Sequence, residues 1–304
     1  MIFLTCLVVF LEISERKNSI LKSWLYENNT THEFVVATVA MTPDKNPAIS
    51  LEKMAGFINH IKKAHPNVDL IFFGEAILGW FKSGDEKYHK EIAMPIPSAT
   101  TDFIAKLAKD NNVYISFGMA YKQDDKVYNS QVLISDNGEI IKIQSKKNVR
   151  SEGFNPGQES VAFVDIKGIK FGIVICFDIR SKETLRKVKD NNIDLIFLSN
   201  ADYIDEWDNN YFGYKHMAKR YNTWIVTSNR YGMEDKVRWD GHIEILNPFG
   251  DVLASGTMKE QFIVYSIKIN KDQSGIKNFI RKAYSKMSIV YLILKNPKTA
   301  VSYI

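Results

Sequence analysis

Short apolar runs alternate with stretches of helical spacing along most of the chain. The β-branched run Phe34–Ala40 and the run Asp69–Phe73 predict two buried strands. Between them, apolar residues recur every three to four positions from Ile49 to Ala64, which predicts a helix with Ser50 as its N-cap. The first third of the chain therefore reads as strand, helix, strand.

The middle of the chain is rich in predicted strands. A helix at Thr101–Asn111, capped by Thr100 or Thr101, has its apolar residues on one face. Three strands follow it closely, at Val113–Tyr121, Val127–Ser135 and Glu139–Gln144. The turn Asp136-Asn137-Gly138 is a hairpin signal and makes the last two strands antiparallel neighbours.

The second half repeats the alternation of strands and helices. The predicted strands are Phe171–Cys176, Ile193–Leu198, Thr223–Asn229, Gly241–Leu246, Asp251–Gly256 and Phe262–Ile269, and the predicted helices are Lys182–Asn191, Tyr211–Tyr221 and Ser274–Leu294. The strand runs are too apolar for sheets with one solvated face. The pattern predicts an α/β protein whose sheets are covered by helices, in one large domain.

Composition excludes several classes of protein. The 304 residues are 45% hydrophobic and 25% charged, which is typical of a globular domain and not of a disordered or collagen-like chain. The net charge is +5, and the basic residues are dispersed among acidic ones, as in Lys182–Lys187. We therefore expect no nucleic-acid partner. Two cysteines, Cys6 and Cys176, are too few for a disulfide framework.

The first residues form a short apolar segment. Ile2–Leu11 is too short to span a bilayer, and no basic residue or small-residue cleavage site marks it as a signal peptide. We therefore expect a cytoplasmic protein without a membrane span, whose residues 1–33 form an N-terminal extension. The alternative is a protein that is exported or attached to the envelope through this segment. Residues 271–304 are expected to form a helical tail.

Three residues that carry reactive groups stand at ends of predicted strands. Glu75 is either a solvated strand end or a buried carboxylate suited to general base catalysis. Cys176 is either an inert core residue or a nucleophile, since active residues favour the carboxyl ends of strands. Lys146 alone is typical of a solvated lysine.

Taken together, these motifs resemble those of the nitrilase superfamily of carbon–nitrogen hydrolases. Asp69–Glu75 resembles the glutamate motif, Gly138 through Lys146 the lysine motif, and Gly172–Glu183 the cysteine motif. Asn229–Gly232 and the turn Asn247–Gly250 match later landmarks. The resemblance covers residues 34–270.

This resemblance implies a four-layer α-β-β-α sandwich that forms a homodimer or a higher homo-oligomer. It implies hydrolysis of a small amide, or of a carbamoyl compound, through a thioester on Cys176, with Glu75 as general base and Lys146 stabilising the oxyanion. Phe177, through its backbone N–H, Glu152 and Asn200 are the implied oxyanion or substrate-binding residues. No metal and no cofactor are expected.

One departure from the family pattern leaves alternatives open. A second glutamate is usual seven residues before a glycine, but that position is Arg150, and Glu152 lies only five residues before Gly157. Either the loop is shortened and Glu152 is the second carboxylate, or the second carboxylate is absent. A catalytically silent binding or scaffold protein is therefore an alternative, as are nitrile hydrolysis and acyl transfer.

Overall fold

The computed structural model describes residues 32–150, 152–203 and 207–269, without the side chains of residues 207–213. Its strands are β1 His32–Met41, β2 Leu70–Phe72, β3 Tyr114–Gln123, β4 Lys126–Ile134, β5 Ile140–Ser145, β6 Ala162–Ile166, β7 Ile169–Ile175, β8 Leu195–Ser199, β9 Trp224–Glu234, β10 Val237–Asp240, β11 Ile243–Leu246, β12 Val252–Gly256 and β13 Gln261–Ile269. Its helices are α1 Pro47–Ala64, α2 Glu86–Ile92, α3 Ala99–Asp110, α4 Lys182–Asp190 and α5 Trp207–Tyr221. The apolar segment Ile2–Leu11 and the predicted helix Ser274–Leu294 lie outside the described residues.

Twelve of the thirteen strands form two sheets of six. The first sheet has the order β5-β4-β3-β2-β1-β13, and its β1, β2 and β3 are parallel. The second has the order β6-β7-β8-β9-β11-β12, with β7, β8 and β9 parallel and β10 paired to β9. The sheets are joined through β1 and β9, where Ala40 pairs with Asn229 and Met41 with Arg230. This junction is called the seam below.

Three apolar layers separate the sheets and helices. Side chains at alternate positions of both sheets fill the space between them, among them Phe34, Phe72, Phe171 and Phe197. The opposite face of the first sheet packs on α1 and α3, and that of the second packs on α4 and α5. Alternation along the strands thus buries both faces of each sheet. The predicted α-β-β-α sandwich is confirmed.

Both predicted N-caps of the first-sheet helices are wrong. Helix α1 begins at Pro47, and its N-cap is Asn46, whose side chain accepts from the backbone N–H of Ala48. Proline suits the first helical position because its missing N–H would have no partner there. Helix α3 begins at Ala99 and is capped by Ser98, while Thr101 returns a bond to the Ser98 N–H.

Some short elements have no counterpart among the predicted ones. These are helix α2 and strands β6 and β10. Helix α2 has seven residues and buries two side chains, Tyr88 and His89, which is too little to produce a periodic pattern. No helix within the described ranges is both long enough and apolar enough to cross a membrane.

Candidate active site

Glu75 lies in an irregular turn that follows β2. Its side chain is buried, so the alternative of a solvated strand end is wrong. The turn is held closely: the Glu75 N–H donates to the Asn200 carbonyl at 3.3 Å, and Ala76 has a left-handed φ of 46°. The turn packs directly against Gly118 of β3. Only glycine leaves room for it, because a Cβ at this position would lie 2.3 Å from the Ala76 nitrogen.

Lys146 follows β5 directly and lies between two carboxylates. Its Nζ donates to Glu75 Oε1 and to Glu152 Oε1, each at 2.7 Å. The Asn129 side chain donates to the same Glu75 oxygen at 2.6 Å. Lys146 is only 1% exposed, so the alternative of a solvated lysine is wrong as well. The structure brings Glu75, Lys146 and Glu152 into one hydrogen-bonded chain.

Cys176 is the first residue of a single 3₁₀ turn, Cys176–Arg180, directly after β7. It is partly exposed and has a φ of 44°, a left-handed conformation that is uncommon for a residue with a Cβ and occurs both in turns and at functional sites. The buried Asp178 carboxylate accepts from the backbone N–H groups of Lys147 and Asn148, at 2.9 and 2.8 Å. These bonds tie the cysteine turn to the segment after Lys146.

Burial and mutual charge set the protonation of these groups. Burial lowers the pKa of Lys146, but the anionic forms of Cys176, Glu75 and Glu152 outweigh it and hold that pKa well above its ordinary value. Burial, and then the Glu75 charge, raise the pKa of Glu152 to about 7. Burial and the Glu75 charge also raise the pKa of the Cys176 thiol well above its ordinary value. The lysine is therefore cationic, and the thiol needs a base.

Asn200 and Phe177 lie at the ends of two neighbouring strands. Asn200 follows β8 and is buried, yet its side-chain amide oxygen and nitrogen have no partner within the described part of the chain. Glu75 Oε2 and Glu152 Oε2 are also buried without a hydrogen-bond partner among the described residues. Phe177 is half-buried, with the Arg150 guanidinium 3.6 Å from its ring centroid. Buried polar atoms without partners suit the binding of a small polar molecule.

Two groups that position the site, Asn129 and Arg230, are not among the predicted site residues. Asn129 lies in the predicted strand Val127–Ser135, and the signal that points to it is the polar stretch Asn129–Gln131 in a strand that is otherwise mainly apolar. The Arg230 guanidinium donates to the Glu75 carbonyl at 2.9 Å, and no local pattern indicates that contact. Within the residues that the structure describes, no three His, Cys, Asp or Glu side chains are grouped to hold a metal ion.

The fold and this arrangement agree with a match to a known family. The model of the carbon-nitrogen hydrolase family matches residues 35–274, and the chain belongs to that family. Membership of this family identifies the protein as an enzyme that acts on carbon–nitrogen bonds.

Individual relatives are similar over most of their length. A probable nitrilase of Schizosaccharomyces pombe is 27% identical over 274 residues, which cover 86% of this chain and 98% of the relative. The human omega-amidase NIT2 is 26% identical over 69% of this chain and 82% of its own. The crystal structure of Saccharomyces cerevisiae Nit3, a member of branch 10 of the nitrilase superfamily, superposes with a TM-score of 0.73 at 19% identity. It covers 84% of this chain and 95% of that one, and shows that the fold is shared.

Proposed function

We propose that the protein hydrolyses the amide bond of a small molecule through a thioester on Cys176. The observation that carries this proposal is the position of Lys146, whose ammonium bonds to both Glu75 and Glu152 in a buried site. A cation held beside a partly exposed cysteine can stabilise both a thiolate and an oxyanion.

In the proposed reaction, Glu75 accepts the proton of the Cys176 thiol, whose raised pKa prevents ionisation without a base. The thiolate attacks the amide carbonyl. The Lys146 ammonium and the Phe177 N–H stabilise the oxyanion, and Glu75 returns the proton to the leaving ammonia or amine. Water activated by Glu75 then hydrolyses the thioester and restores the thiol.

Glu152 and Asn200 are proposed to bind the substrate. Asn200 offers both a donor and an acceptor to an amide group, and neither atom has a partner among the described residues. Glu152 bonds to Lys146 through one oxygen and leaves the other for the substrate N–H. Glu152 is thus the proposed second carboxylate, presented from a shortened loop.

Turnover on a substrate panel tests this function. The panel contains aliphatic amides, 2-oxoglutaramate, carbamoyl amino acids and nitriles, with release of ammonia and the intact mass as readouts. We expect ammonia from at least one amide and a trapped acyl adduct on Cys176. Ammonia from nitriles alone would support a nitrilase, and product formed only with added hydroxylamine would support acyl transfer. A protein that forms neither adduct nor product would be a silent binding protein.

Glu152 needs its own test. We expect Glu152→Gln to lower kcat/KM by about tenfold, because it loses the charge that orients Lys146. The exposed Glu139→Gln is the matched control. If Glu152→Gln leaves kcat/KM unchanged, Glu152 is not the second carboxylate.

The other expectations remain predictions. We propose one catalytic domain over residues 34–270, with flanking segments 1–33 and 271–304, in a cytoplasmic homodimer. Light scattering coupled to gel filtration measures the oligomer, and limited proteolysis with mass spectrometry measures the domain limits.

A further inference from the structure

Arg230 of β9 is fully buried, and its side chain donates hydrogen bonds to backbone carbonyls of the turn that carries Glu75. Its Nη1 donates to the carbonyl oxygens of Glu75 at 2.9 Å and Ala76 at 3.4 Å, and its Nη2 donates to that of Gly79 at 2.7 Å. One side chain thus satisfies three carbonyls of an irregular segment, each of which would cost free energy if it were buried without a partner.

Glu234, four residues further along β9, orients that guanidinium. Its carboxylate accepts from Arg230 Nε and, at 2.7 Å, from Arg230 Nη2. The same carboxylate accepts the Phe81 N–H at 2.7 Å, so it holds the far end of the turn. The indole of Trp239 flanks the guanidinium, with 5.2 Å between Arg230 Cζ and the ring centroid.

The turn needs this support because its backbone is strained. Ala76 has a left-handed φ, and Gly79 has a φ of 144°. The conformation of Ala76 costs about 1 to 3 kcal/mol and persists only where the surroundings hold it, whereas glycine adopts that of Gly79 without steric cost. Arg230 lies at the seam, where it pairs with Met41, so the second sheet fixes a turn that follows a strand of the first.

We propose that Arg230 and Glu234 are positioning residues for the general base, an inference that depends on the proposed role of Glu75. The pair holds the Glu75 backbone so that its carboxylate stays within reach of Lys146 and Cys176. Neither residue touches the substrate. Lysine cannot replace Arg230, because a single ammonium lacks the planar fork that reaches the carbonyls and Glu234 together.

The test compares Arg230→Lys and Glu234→Gln with the wild type, and uses the exposed Arg238→Lys as the matched control. The protein is first separated by gel filtration, because a misfolded chain also exposes a reactive thiol. Turnover of the native fraction is then divided by the amount of Cys176 that iodoacetamide can alkylate in it. We expect Arg230→Lys to lower kcat per alkylatable site by about 100-fold, because a displacement of 1 Å can cost that much. KM should stay within about threefold, since no substrate contact is lost.

A double-mutant cycle separates positioning from general destabilisation. If Arg230 acts through Glu75, Arg230→Lys lowers the Cys176 alkylation rate in the wild type and has no further effect in Glu75→Gln. An equal loss in both backgrounds, or an unchanged kcat per alkylatable site, overturns the proposal. Should Arg230→Lys fail to fold, Glu234→Gln provides the same comparison. If Glu75→Gln alone keeps full alkylation and turnover, Glu75 is not the general base, and the proposed function fails together with this inference. A loss in Glu75→Gln with unchanged alkylation and kcat in Arg230→Lys overturns this inference alone.

Discussion

The two sheets contribute to the site in different ways. The first sheet supplies Glu75 and Lys146, which are buried and already bonded to each other. The second supplies Cys176, which is partly exposed, and Asn200, whose side-chain atoms have no partner in the described chain. The first sheet therefore builds a pre-organised set of charges, and the second presents groups that are left for a substrate. Changes to Glu75 and Lys146 should therefore affect stability and activity together, whereas changes to Cys176 and Asn200 should affect activity alone.

The largest expected effect is that of Cys176→Ala. We expect turnover to fall by about 10⁴-fold or more, because the reaction loses its nucleophile. The free energy of unfolding should change by less than about 1 kcal/mol, since only one atom of a partly exposed residue is removed. Ammonia release and urea unfolding measure the two effects, with Cys6→Ala as the control. Full turnover in Cys176→Ala would end the thioester mechanism.

Lys146→Met should break the first sheet's charge set. It leaves Glu75 and Glu152 facing each other without their cation, and removing one partner of a buried ion pair costs about 3 kcal/mol or more. Urea unfolding measures the loss, and turnover should disappear as well. The adjacent Lys147→Met is the control, because its half-exposed pair with Glu183 contributes less than about 1 kcal/mol. Equal losses in both variants would contradict the comparison of the sheets.

Asn200→Ala should act on binding alone. No side-chain hydrogen bond to another described residue is lost, so we expect the free energy of unfolding to stay within about 1 kcal/mol. KM should rise by about tenfold, because the substrate loses one polar partner. Steady-state kinetics and urea unfolding measure these quantities. A large loss of stability with an unchanged KM would make Asn200 a structural residue.

The smallest expected effect is a dependence of stability on pH through Glu152. Its pKa rises from 4.5 to about 7 on folding, so the native state retains a proton that the unfolded chain releases between these values. This group therefore favours the native state at low pH, and its contribution falls as pH rises through that interval. Relative to Glu152→Gln, the wild type should lose stability between about pH 5 and pH 7 and no more above it. Urea unfolding across this range measures the difference, and a constant difference would show that Glu152 does not titrate there.

The strand ends that carry Glu75, Lys146 and Cys176 can be predicted from the sequence, since apolar runs and hairpin signals are local features. The contact of Lys146 with Glu152 cannot, because it depends on how a loop of irregular spacing folds back. Arg230 is missed for a similar reason: its acceptors are backbone carbonyls about 150 positions earlier, which leave no trace in side-chain chemistry. The predicted cap Ser50 is wrong because serine and asparagine both cap helices, and the position of Pro47 is the feature that indicates the earlier residue, Asn46.

The pairing of β1 with β13 has a consequence for folding. Phe34 is opposite Ile267, and Ala40 is opposite Gln261. Strand β1 therefore pairs with a strand that lies more than 200 residues later in the sequence. Contacts between such distant residues slow folding, because closing so long a loop costs chain entropy before the contacts form. During synthesis, β1 therefore keeps an open edge until residue 269 has left the ribosome. A chain that ends before β13 would expose this apolar edge and would be prone to aggregate.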